Sequence, residues 1–83
     1  MPEKVKKFID HITQAHDAGE KPWVVVRYRD EKHDVPRDIT GVATSINDDR
    51  IRIEWQLSVR DMVSHRTIPR HRIIDGTIEG YYR

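Results

Sequence analysis

The stretch HRTIPRHRI, His65 to Ile73, sets Arg66, Arg70 and Arg72 beside His65 and His71 with no carboxylate among them. Arginine grips phosphate because its planar fork donates two parallel hydrogen bonds and keeps its charge at any accessible pH. Histidine adds a donor, a stacking surface and a proton carrier near neutrality. From Arg50 to Arg72 there are six arginines against Glu54 and Asp61, although the whole chain carries a formal charge of only +1. Such local asymmetry is the electrostatic footprint of a polyanion partner. The competing reading pairs these guanidinium groups across strands with Asp30, Glu31, Asp38 or Glu54, at roughly a few tenths of a kcal/mol each.

Other chemistries are poorly supplied. There is no G-x-S-x-G elbow for a nucleophile, and the four glycines are scattered rather than gathered into a phosphate-cradling loop. Asp48-Asp49 read as a turn, since a calcium ion wants about six to eight oxygen ligands and the spaced acidic series is missing. His65 and His71 are six apart and His11 and His16 five apart, neither being the i, i+4 spacing that joins two imidazoles on a helix. A phosphate-ester hydrolase using His71 or His65 as acid or base has the fewest supporting residues, because neither its partner base nor its oxyanion donors can be named. No catalytic residue, metal or cofactor is therefore assigned. Of the aromatic residues, Trp55 shares a face with Ile51 and Ile53 and belongs to the core, whereas Tyr81 and Tyr82 near the end are the candidates for stacking on bases.

The segment TIPRHRI resembles the I-P-x-H-R-I signature of a small domain found alone in archaea and fused to other modules in eukaryotes. That family is proposed to recognise cyclic-phosphate ends of RNA in RNA repair. The matching positions are Ile68, Pro69, His71, Arg72 and Ile73, and the strand VVVRYRD is similar to the family's strand ending in an arginine-containing turn. The resemblance implies that His71 and Arg72 belong to an RNA-end pocket, with Arg27 or Arg29 as a secondary member. The chain departs from the family after H-R-I, where IIDGTIEGYYR is short and ends in tyrosines rather than near a tryptophan.

The elements that must position these groups follow from periodicity. Val5, Phe8, Ile9 and Ile12 recur at i, i+3, i+4, i+7, which predicts an amphipathic helix over residues 3 to 17, with Gly19 to close it. After Pro22 the period becomes two, with Val24, Val26 and Tyr28 on one side of a strand and Trp23, Val25, Arg27 and Arg29 on the other. DEKHDVPRD reads as a loop, Ile39 to Ile46 as a strand bent or bulged at Gly41, and Asn47-Asp48-Asp49 as the turn of a hairpin whose second arm is RIRIEW. Residues 56 to 64 read as a loop with a helical turn. A short strand over Arg66 to Ile68 stops at Pro69, Ile73 and Ile74 enter the core, and Asp75-Gly76 turns into a last strand around Thr77 to Tyr82. Strand alternation would put Arg70 and Arg72 on one side and His71 on the other unless the proline bends the chain.

One helix followed by four or five short strands means an α+β class: an N-terminal amphipathic helix with an antiparallel sheet, or a small open barrel of the Sm or SH3 kind. With 83 residues there is room for a single domain, 1-83, and with 36% hydrophobic against 35% charged residues its core must be small. Cysteine is absent, which removes disulfide scaffolds and thiolate metal sites and makes the cytoplasm the default compartment. The longest apolar run, WVVV, is far too short to span a bilayer, so no membrane partner is expected. The leading expectation is a non-catalytic RNA-binding domain using Arg66, Arg70, His71, Arg72, Arg27, Arg29 and His65. The alternative is a protein-interaction or oligomer-forming domain, with a homodimer as its simplest form.

Overall fold

The computed structural model describes residues 2–57 and 62–82, with the side chain of residue 82 left aside. Helix α1 spans Glu3–Asp17 and buries Val5, Phe8, Ile9, Ile12 and Ala15, the stripe its 3.6-residue period dictates. Its end is closed by Gly19 at φ 80°, where the Glu20 N–H donates to the Ala15 carbonyl at 2.9 Å. A left-handed residue there satisfies carbonyls the last turn would otherwise leave open.

Five strands follow: β1 (Lys21–Arg29), β2 (Pro36–Ile46), β3 (Arg50–Gln56), β4 (Val63–Pro69) and β5 (Ile73–Tyr82), with a 3-10 turn at Arg70–Arg72 between the last two. They form one antiparallel sheet in the order β4-β3-β2-β1-β5. Val24, Val26, Tyr28, Ala43, Ile51, Ile53, Ile68 and Ile73 meet the apolar stripe of α1 in one core, and Trp55 and Ile78 pack against it. The α+β expectation, a helix followed by an antiparallel sheet, is what the chain adopts. The sheet is open, because β4 and β5 are its edges and no pairing between them is present among the described residues. Across it, Arg66 of β4 reaches over β3 and β2 toward the ring of Tyr28 of β1.

Several local expectations need correction. Strand β2 begins at Pro36, not Ile39, so the loop shrinks to residues 30–35; proline is tolerated there because it opens the strand. Gly41 is not the bulge. The register slips at Ala43/Ser45, and Gly41 instead lets the Glu54 carbonyl approach to where a Cβ would lie only 2.5 Å away. Strand β4 starts at Val63 rather than Arg66. Ile74 is 39% exposed, since alternation sends Ile73 inward and its neighbour outward. Asp75-Gly76 is no turn but part of a continuous β5, opposite Arg27 and Val26. The expected helical turn in residues 56–64 lies partly outside the described residues. No helix among the described residues is long and apolar enough to cross a membrane.

Candidate phosphate-binding groove

Pairing of β3 with β4 sets Ile51 opposite Ile68 and Ile53 opposite Arg66. Arg66 thus shares the inner face with the core isoleucines, one pleat beyond the last buried residue. Its guanidinium carbon lies 6.0 Å from the centroid of the Tyr28 ring, within the range of a cation–π contact. It has no carboxylate partner among the described residues.

A groove of about 630 Å³ opens beside this pair. The end of β1 contributes Tyr28 and Arg29, the β1–β2 loop Asp30, Glu31 and Lys32, the β2–β3 turn Asp49 and Arg50, and β4 with the 3-10 turn Arg66 to Pro69 and His71. The β2–β3 turn is held by the Asn47 side-chain oxygen, which accepts the N–H groups of Asp49 and Arg50, each at 2.9 Å. The Arg70 N–H then donates to the Asp49 carbonyl at 2.8 Å, which fastens the 3-10 turn to the hairpin. Cations on this lining (Arg29, Lys32, Arg50, Arg66) outnumber acids (Asp30, Glu31, Asp49) by one.

The basic cluster read from the sequence is therefore divided. Arg66 and His71 meet in the groove, joined there by Arg29. Arg72, 29% exposed, turns instead to the β1–β2 loop, with Nη1 3.5 Å from Asp34 and Nε 4.0 Å from Glu31. Arg70 is half-buried, and its Nε lacks a hydrogen-bond partner. Arg27 lies on the outer face, bonded to Asp38 at 3.2 Å directly across the strands. His65 also faces outward, opposite Glu54. The turn at Arg70–Arg72 resolves the alternation problem, because a 3-10 turn after Pro69 frees these side chains from the two-residue period.

The β1–β2 loop is itself ordered by charge. Asp30 accepts the Lys32 N–H at 2.7 Å and pairs with Arg37 at 2.7 Å. Its carboxyl is held below the usual range, chiefly by the Lys32 N–H and further by the His33 N–H and Arg37, against an opposing cost of desolvation. Asp34 adopts φ 52°, the one non-glycine residue with positive φ among those described. Its N–H donates to the Asp30 carbonyl at 2.7 Å, and its own carbonyl accepts from Arg29 Nη1 at 2.9 Å.

Sequence reasoning missed Arg50, Asp34 and the role of Tyr28. The signal for Arg50 was present, since it ends the turn and, once β3 and β4 are paired, stands opposite Pro69. Comparison with protein-family models, curated proteins and solved structures finds no match for this chain.

Proposed function

We propose that this chain is a non-catalytic RNA-binding domain whose groove holds phosphate through Arg66, Arg50 and His71, serving RNA processing or repair. The observation that carries this reading is the condition of Arg66. Its neighbours Arg29 and Arg72 are faced by carboxylates, while Arg66 is braced on Tyr28 with no acid to quench it. A guanidinium held over an aromatic ring keeps its in-plane donors free, and those are the donors a phosphate takes. Tyr28 is buried in the core, so binding rests on the backbone of the nucleic acid rather than on base stacking at this point. The I-P-x-H-R-I resemblance agrees with a phosphate-bearing ligand.

The test is titration of short single-stranded RNA at several salt concentrations. Affinity should fall with salt at a logarithmic slope of about −0.7 per phosphate contacted. Absence of binding at low salt removes the proposal.

A second reading, protein interaction or self-association, is favoured by a different observation. Met62 and Val63 are 56% and 60% exposed at the start of edge strand β4. Apolar residues on an open edge suit addition of another strand. Sedimentation that depends on concentration and is indifferent to RNA would support it.

A further inference from the structure

Asp34 closes the β1–β2 loop, its N–H donating to the Asp30 carbonyl. At φ 52° it sits where non-glycine residues are uncommon, and its carboxylate lies between two guanidinium groups, 3.9 Å from Arg29 Nε and 3.5 Å from Arg72 Nη1. Both separations exceed ordinary hydrogen-bond length, so the carboxylate balances charge without taking a short bond from either arginine, while Arg29 Nη1 is held by the Asp34 carbonyl. Arg72 Nε is buried without any hydrogen-bond partner. Two arginines converging on one carboxylate, Arg29 with Nη1 given to the Asp34 carbonyl and Arg72 with Nε unbonded, form an anion site; Asp34 is its internal occupant, with Glu31 4.0 Å from Arg72 Nε. The site borders the groove, whose lining includes Arg29, Glu31 and His71.

We propose that Asp34 sets the ligand specificity of this groove by making any incoming phosphate compete with its carboxylate for Arg29 and Arg72. The proposal rests on the RNA-binding reading and names its substrate class. Exchanging one monoanion for another gains little Coulomb energy, and an internal phosphodiester or a 2′,3′-cyclic phosphate is a monoanion. A terminal phosphomonoester carries a charge of about −1.5 to −2 at neutral pH and three acceptor oxygens. It out-competes the carboxylate where a diester does not. The groove therefore prefers RNA ends bearing a phosphomonoester over cyclic-phosphate or hydroxyl ends.

The experiment is fluorescence anisotropy with one oligoribonucleotide sequence ending in a 3′-monophosphate, a 2′,3′-cyclic phosphate or a 3′-hydroxyl, and a fourth carrying a 5′-monophosphate. The folded protein, Asp34→Asn and Asp38→Asn are compared. Asparagine tolerates positive φ, so the first variant keeps the loop, and the second makes the same charge change on the outer face. In the unaltered protein at least one monophosphate end should bind about fivefold or more tighter than the cyclic end, the worth of one extra charge near 4 Å in water. Asp34→Asn should tighten binding of the cyclic and hydroxyl ends and shrink the preference below about twofold, as expected when a like charge is lost. Asp38→Asn should leave the preference intact, and Arg72→Ala should abolish the effect of Asp34→Asn. Equal affinities for all ends, or equal effects of the two asparagine variants, overturn this assignment while RNA binding stands. No binding of any oligonucleotide at low salt removes both.

Discussion

Arg66 and Tyr28 lie on strands separated by two others in the sheet, yet the guanidinium of one rests over the ring of the other at 6.0 Å. This contact fixes where the free charge of the groove points. Arg66→Ala is expected to weaken RNA binding by about 1.5–3 kcal/mol, the range for a hydrogen bond to a charged group. Thermal stability should change little, by about 0.5 kcal/mol at most for an exposed side chain. Arg66→Lys should recover only part of the affinity, because lysine lacks the planar fork. Anisotropy and thermal melts of the same samples separate the two effects.

A second prediction concerns the packing that holds β5 to the helix. A Cβ on Gly76 would lie 2.5 Å from the Phe8 ring. Gly76→Ala should therefore destabilise the fold by about 1–3 kcal/mol, as overpacking does. Combining it with Phe8→Leu should cost less than the sum of the two single changes, because the smaller side chain yields the space. Urea unfolding of the four proteins checks this, and strict additivity would mean the ring simply moves aside.

The β2–β3 turn offers a third. Asn47→Ala removes the acceptor for two N–H groups, those of Asp49 and Arg50. The expected loss is about 1–2 kcal/mol of stability, from two bonds of modest net worth. Since the Arg70 N–H is fastened to Asp49, amide exchange should quicken at Arg70 as well as in the turn. Asn47→Asp keeps the acceptor and should behave nearly as the native chain.

Acid sensitivity supplies a fourth. The Asp30 carboxyl is depressed by the Lys32 N–H first and by the His33 N–H and Arg37 after it, so folding favours its ionised form. A depressed folded value means the stabilisation is complete above the ordinary value of 3.8 and is lost as pH falls through the folded one. Asp75, lowered mainly by its bond to Lys4, acts in the same direction. The stability advantage of the native chain over Asp30→Asn should be full at about pH 6 and shrink toward about pH 2, where the carboxylate is protonated. Melting temperatures across that interval measure it, and a constant difference would show that charge is not the source.

Much of the fold was legible because its signals are local. The helix over residues 3 to 17 needed only the spacing of Val5, Phe8, Ile9 and Ile12, and β1 and β3 only their alternation. Gly76 shows where such reading fails. Beside an aspartate it carries turn chemistry, but its lack of a side chain serves the Phe8 ring, a contact between residues 68 positions apart. Gly41 misleads in the same way, since the Glu54 carbonyl that crowds it belongs to another strand. The site was half legible. Arg66 and His71 were recognisable by residue type, whereas the acids that claim Arg72, Arg29 and Arg27 come from the β1–β2 loop and the strand beyond it.

By itself the amino-acid order determined the residue types, the helix, the strand periods and the inner and outer faces, because each depends on neighbours a few positions away. Only the tertiary structure decided which guanidinium groups remain free. Coulomb pairing falls off over a few ångströms, and which carboxylate stands within that reach is set by strand register and the path of the β1–β2 loop. That is why Arg66, with an aromatic ring beneath it and no acid in range, differs from Arg72, though both lie in one run of nine residues.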